Sequence, residues 1–355
     1  MAKPQKGSHL PSRSARHPAV AIGSGIFTFL VLICVGGLFA ARYGEREFND
    51  PGPLAQEKAV VIPRGAGIRD MADALEKAGV IDNWFTFIAG LKLTKPNANM
   101  QAGEYLFKPG QSMASVIDTI ASGRVIQHAI TIPEGLTSQQ VVARLMESDL
   151  LSGSPAVPRE GTLLPETYKF ARGTSRDTLL KEMAEEQKKV VRLAWERRAP
   201  GLPLRSPQDM VTLASIVEKE TGLAAERPKV AAVFVNRLNK RMRLQSDPTI
   251  VYGIVGGRGA LGRSITRTDI TTPTAYNTYA IDGLPPGPIC NPGKDAILAV
   301  ANPPKTTDLF FVANGTGGHA FAETLADHNR NVARWRAIEA GGRPGAPSGA
   351  PAAAN

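Results

Sequence analysis

Two glutamates, Glu218 and Glu220, stand near the end of a stretch whose residue order marks a helix. Ser206 is placed as N-cap, Pro207 as the first helical residue and Asp209 as the third, ahead of MVTLASIVEKETG. Gly222 is expected to close the helix in a left-handed conformation. At about 100° per residue, Met210, Leu213, Ala214 and Val217 form one apolar stripe. Glu220 falls about 60° from its centre, beside Leu213 and Ile216, and Glu218 about 100° away, toward solvent. A carboxyl held against apolar side chains is hard to ionise, and the negative end of a helix pushes the same way. A glutamic acid still protonated near neutral pH can donate to a leaving oxygen, the task of a general acid. The competing reading of Glu220 is a surface residue whose stem packs on Leu213.

Further polar residues fall in two short motifs. LQSDPT, Leu244 to Thr249, brings an amide, a hydroxyl and a carboxylate together at Gln245, Ser246 and Asp247. Such a turn suits sugar hydroxyls, and equally an Asx turn in which Asp247 satisfies its own backbone. TAYNTY offers Tyr276, Asn277 and Tyr279: aromatic planes for sugar rings and an amide for N-acetyl groups, or buried tyrosines bonded to backbone. GLPPGPI, Gly283 to Ile289, reads as a rigid cleft wall. NGTGGHAF has glycines but no following GK[ST], so a phosphate loop is rejected. His319 reads as a structural histidine, and Trp335 as a core anchor on a closing helix that also carries His328.

The chain has 355 residues, 43% of them hydrophobic, enough for a small and a medium domain. Its 42 Lys and Arg against 32 Asp and Glu give +10, which suggests an anionic partner. No RNA-binding signature, zinc finger or basic helix is present, so nucleic acid is not expected. Cys34 and Cys290 are far apart, and neither has metal-ligand neighbours, so no disulfide, metal or cofactor is expected.

Ala19 to Ala41 carries no charge, and its length covers a hydrocarbon core of about 30 Å. Lys3, Lys6, Arg13 and Arg16 precede it without an acid, whereas Glu45, Glu47 and Asp50 balance the basic residues beyond. The positive-inside rule keeps the N-terminus cytoplasmic and exports the rest. A cleaved signal peptide has a shorter apolar region, of about 7 to 15 residues, so a retained anchor is expected.

Three later stretches echo one another: VVIPRG before IRDMADALEKAGV, FKPG before SMASVIDTIASGRV, and ITIPEG before TSQQVVARLMESDL. Each is an extended apolar run, a Pro/Gly turn and an amphipathic helix. In the first helix Ile68, Met71, Ala72 and Leu75 make one buried stripe. Such units resemble LysM-like modules, which either bind glycan or act as spacers. The charged helix of 176–198 reads as a solvated face.

The strings ASIVEKETG, ERPKVAAVFVNRL, LQSDPTIVYG, TPTAYNTYAIDGLPPGPI and GGHAFAETLADHN resemble the endolytic murein transglycosylase (YceG-like) family over about residues 55 to 336. The resemblance implies a single-pass inner-membrane enzyme that cuts peptidoglycan glycan strands between N-acetylmuramic acid and N-acetylglucosamine. It leaves 1,6-anhydro ends and thereby stops strand elongation. The catalytic glutamate of lytic transglycosylases precedes Ser or Thr, which selects Glu220-Thr221 over Glu218-Lys219. Gln245, Asp247, Tyr276, Asn277 and Tyr279 become substrate-binding candidates, and peptidoglycan synthases (penicillin-binding proteins) candidate partners. The rivals are a wall-binding scaffold without activity and a muramidase that hydrolyses. The expected fold is α+β: cytoplasmic tail 1–18, transmembrane helix 19–41, stalk 42–54, LysM-like modules 55–155, a mixed α/β catalytic domain 156–337 and a disordered tail 338–355.

Overall fold

The computed structural model describes residues 18–340, with side chains from 23 onward. Of the expected tails 1–18 and 338–355, residues 1–17 and 341–355 lie outside the described residues, whereas Pro18 begins a helix and residues 338–340 end one rather than opening a disordered tail. Two compact units meet in sequence between Ile126 and Gln127.

In the first unit, helix α1 (Pro18–Asn49) contains the one segment, among the described residues, long and apolar enough to cross a membrane. It does not stop at Ala41: the first half of the expected stalk continues the helix. The reason is packing at its end. Phe48 is buried against Gly90, where any side chain would meet its ring, and the Thr86 hydroxyl donates to Glu47 at 3.2 Å. There follow β1 (Lys58–Ile62), α2 (Ile68–Lys77), α3 (Trp84–Thr94), β2 (Gly103–Phe107) and α4 (Met113–Ala121). Strands β1 and β2 pair antiparallel, with Val60 opposite Tyr105. Met71, Ala72 and Leu75 of α2 are buried as expected, but Ile68, the first helical residue, is 42% exposed at the edge of the core.

The second unit opens with β3 (Gln127–Thr131), α5 (Ser138–Met146), β4 (Thr167–Ala171) and α6 (Arg176–Glu196). Here β3 pairs antiparallel with β4, so the third echoing stretch belongs to this unit and not with the other two. Arg176, buried at the start of α6, donates to the carbonyls of Leu145, Ser148 and Gly153 and fixes the long connection between the strands. Next come α7 (Pro207–Glu220), α8 (Arg227–Asn239), α9 (Asp247–Val255), α10 (Arg267–Thr271), α11 (Lys294–Ala301), the hairpin β5 (Phe310–Ala313) and β6 (His319–Ala322), and α12 (Leu325–Ala340). Helix and strand are mixed, but the strands form only antiparallel pairs, so no layered parallel sheet exists among the described residues.

Helix α7 is the core of this unit. Every residue from Met210 to Val217 is buried, packed with Phe234 and Val230 of α8 and Ile297 and Val300 of α11. The single-stripe expectation is therefore corrected: from Met210 to Val217, α7 is enclosed on all sides. It ends at Glu220 as expected, but Thr221 closes it in an extended conformation (φ −140°, ψ 129°), and Gly222 is not left-handed.

Candidate active site

Glu220 is the last residue of α7 and opens onto a cleft of about 1050 Å³. Its carboxylate oxygen Oε1 accepts a hydrogen bond of 2.5 Å from the Ser246 hydroxyl. Burial pushes the Glu220 carboxyl up to about 7; the Ser246 bond opposes this, the charge of Asp247 adds to it and that of Arg237 opposes it. An acid with that value is substantially protonated near neutral pH and still able to ionise.

Ser246 is held from behind by buried hydroxyls. Its backbone N–H donates to Thr278 Oγ1 at 2.9 Å, and Thr249 Oγ1 donates to its carbonyl at 2.6 Å. With its side chain turned to Glu220, Ser246 makes no capping bond to α9 although it stands at the N-cap. Beside it, Gln245 is left-handed (φ 52°), a conformation costly for a residue with a side chain and typical of places where function fixes the backbone. Arg237, buried on α8, clamps this segment: it donates to the carbonyls of Arg243 and Leu244 and to Gln245 Oε1, at 3.0–3.1 Å.

Asp247 starts α9 rather than an isolated turn, and its Oδ1 accepts from the Tyr279 hydroxyl at 2.7 Å. Burial raises the Asp247 carboxyl and this bond lowers it, with the rise prevailing. Glu220, Gln245, Asp247 and Tyr279 all line the cleft. Tyr276 and Asn277 are not among its lining residues. The Tyr276 ring packs on Tyr252 (centroids 4.8 Å apart). The Asn277 amide is 1% exposed and donates to the carbonyls of Asp269, Ile270 and Thr272, which ties the preceding loop. Of GLPPGPI only Ile289 reaches the cleft, while His319, His328 and Trp335 line it. Trp335 is half-buried there rather than enclosed in a core.

Glu218 differs most from expectation. Its side chain is 5% exposed, pairs with Arg227 at 3.2 Å and accepts the Gly293 N–H at 2.9 Å. Arg227 also reaches Glu134 at 3.1 Å and Asp295 at 3.7 Å. Glu218 turns inward to this cluster, and Lys219 beside it is the exposed residue of the last turn. Glu218 does not line the cleft. Ser246, expected as a hydroxyl for sugars, is turned to Glu220 instead. Arg237 is the site residue that residue-type reasoning missed, with no signal beyond its presence in a matched string.

A model of the YceG-like family matches residues 60–334. The chain belongs to the YceG-like family. Two relatives are named endolytic murein transglycosylase. That of Bacillus subtilis is 30% identical over 302 residues, which cover 76% of this chain and 82% of the relative. That of Streptococcus pneumoniae is 30% identical over 356 residues, covering 86% of this chain. The YceG-like chain described here spans 63% of the length of that pneumococcal relative. A crystal structure of a putative yceG-like protein from Listeria monocytogenes aligns over 78% of this chain and 99% of its own, at 30% identity and a TM-score of 0.48.

Proposed function

We propose that this YceG-like protein is a peptidoglycan lytic transglycosylase that cuts MurNAc–GlcNAc bonds within nascent glycan strands, leaves 1,6-anhydro-MurNAc ends and so ends strand elongation. The observation that carries this reading is the carboxyl of Glu220, raised to about 7 at the wall of a cleft. Glu220 first gives its proton to the glycosidic oxygen as the bond from that oxygen to C1 of MurNAc breaks. The 2-acetamido group of MurNAc stabilises the cationic C1. Glu220, now a carboxylate, takes the proton of the 6-hydroxyl while O6 bonds to C1. The acid is restored and no water is consumed. The other carboxyl of the cleft in reach of this role, Asp247, is engaged by Tyr279; a hydrolase needs a second carboxylate free to act on water or on C1. A wall-binding scaffold would have no use for a protonated carboxyl lining a cleft. Gln245, Asp247 and Tyr279 bind the sugars in this reading, and Tyr276 and Asn277 shape the wall behind them.

Incubation of the purified protein with peptidoglycan should release glycan fragments, and the rate should fall as pH rises through about 7, where Glu220 loses its proton. Ser246→Ala removes a bond that favours the carboxylate, so this limb should move to higher pH. A rate that instead climbs through neutrality would mean that the reaction starts from the carboxylate, and this role would be withdrawn.

The same reading places α1 across the inner membrane, with the basic tail cytoplasmic and the chain beyond α1 on the wall side, near the peptidoglycan synthases that supply nascent strands. The β1–α2–α3–β2 order of the first unit supports a LysM-like module there. Alkaline phosphatase fused after Asn355 should be active and fused before Met1 inactive; the reverse pattern contradicts the orientation.

A further inference from the structure

We infer that His319 binds substrate in the cleft: its Nε2 makes a hydrogen bond with a hydroxyl of the glycan held beside Glu220. The inference rests on the reading that this cleft takes glycan.

His319 opens strand β6, and Glu226 stands just before α8. Glu226 makes no capping bond to its own helix. It reaches the β5–β6 hairpin instead, where Oε1 accepts the His319 backbone N–H at 2.9 Å and Oε2 meets Nδ1 at 2.7 Å. Burial works against ionisation of Glu226, but the bonds and charge of His319 outweigh it and hold the carboxyl below its ordinary value. A carboxylate only accepts, so Nδ1 carries a hydrogen and Nε2 is the nitrogen left for a ligand.

The ring plane is fixed as well. Phe311 meets it edge-on at 5.3 Å, and Phe321 lies at 6.4 Å. His319 lines the cleft with its side chain 18% exposed, and Nε2 has no hydrogen-bond partner among the described residues. Nor is it one of the sealed, unpartnered polar atoms. An imidazole whose Nδ1 and ring plane are both held, in a side chain that lines the cleft, is a preorganised hydrogen-bonding group. His328 on the same wall is different: it stacks on Phe310 at 5.1 Å and its Nδ1 is enclosed without a partner. It serves as a flat wall.

The competing role for His319 is purely structural, a tie between the hairpin and the loop before α8. That role needs Nδ1 alone, so two variants separate the alternatives. His319→Asn places an amide near the position of Nδ1 and nothing at Nε2. His319→Gln extends an amide toward the position of Nε2. Each is made in the full chain carrying Glu220→Gln, and affinity for purified uncrosslinked glycan strands is measured. His319→Asn should weaken binding about tenfold, the loss of one well-placed hydrogen bond, and His319→Gln should recover most of it. With Glu220 intact, the Asn variant should raise KM with little change in kcat. If the Asn variant melts early, His319→Ala replaces it: it gives up the bonds of both nitrogens, and it should bind more weakly than the Gln variant. Binding by the Asn variant equal to its parent, or by the Gln variant no better than the Asn or Ala variant, overturns the inference. Wild type that binds strands but never cuts them removes the proposed activity and leaves His319 to be judged by binding. Wild type that neither binds nor cuts removes both.

Discussion

Glu220→Gln should abolish fragment release while leaving the protein folded and, above neutral pH, more stable than wild type. Glutamine keeps the shape of the side chain, and its amide oxygen can still accept from Ser246, but it has no proton to give to a leaving oxygen. One general acid contributes about 10²- to 10⁴-fold, and here the same group must also act as base, so the loss should reach the upper end or beyond. The stability effect follows from proton linkage. The folded-state value, about 7, lies above the ordinary value of 4.5, so the native state binds this proton more tightly than the unfolded chain. That contribution is complete below the unfolded value and is lost as pH rises through about 7. At about 1.4 kcal/mol per unit, wild type carries a penalty of roughly 3 kcal/mol at alkaline pH that the variant lacks. Melting curves should therefore separate in favour of Glu220→Gln at pH 8 and converge near pH 4. An inactive variant that also unfolds would assign Glu220 to structure instead.

The second large effect belongs to Arg227. Its side chain is 8% exposed and joins Glu218, Glu134 and Asp295. Glu218, just as enclosed, has no other cation within ion-pair distance among the described residues. Arg227→Ala strands that carboxylate in the interior, a change that typically costs about 3–5 kcal/mol. For a unit of this size roughly 10 °C should be lost from Tm. Glu218→Gln should be milder, because the amide oxygen can still accept from Gly293 or Arg227, and cutting should persist. Burial already pushes the Glu218 carboxyl up against the Gly293 bond and Arg227. An inactive Glu218→Gln with Glu220→Gln active would exchange the two roles.

The two glutamates show what the sequence could and could not convey. Motif register marks Glu220, and the same strings bring Gln245, Asp247 and Tyr279 to one cleft. The surroundings of Glu218 were hidden because Thr212 and Ser215 make α7 look half polar. Their hydroxyls bond back along the helix, Thr212 to the Gln208 carbonyl at 2.9 Å and Ser215 to that of Thr212 at 2.7 Å, and so can be buried. A stripe drawn from residue type counts them as solvent-facing. Asn277 misled for a related reason: an amide suited to an N-acetyl group is equally suited to three backbone carbonyls. The pairing of β3 with β4 depends on residues some forty positions apart, which local repeats cannot reveal. The turn–helix units themselves were legible, since Pro, Gly and cap residues act within a few positions.

The central claim is that Glu220 serves as acid and then as base on the sugar's own hydroxyl, with no water entering the bond. Digesting peptidoglycan with the purified protein in heavy-oxygen water and weighing the new glycan ends by mass spectrometry tests this most directly. The account predicts ends lighter than a hydrolysed end by one water and free of the label, absent altogether with Glu220→Gln. Reducing ends that carry the heavy oxygen would contradict it and make the protein a hydrolase.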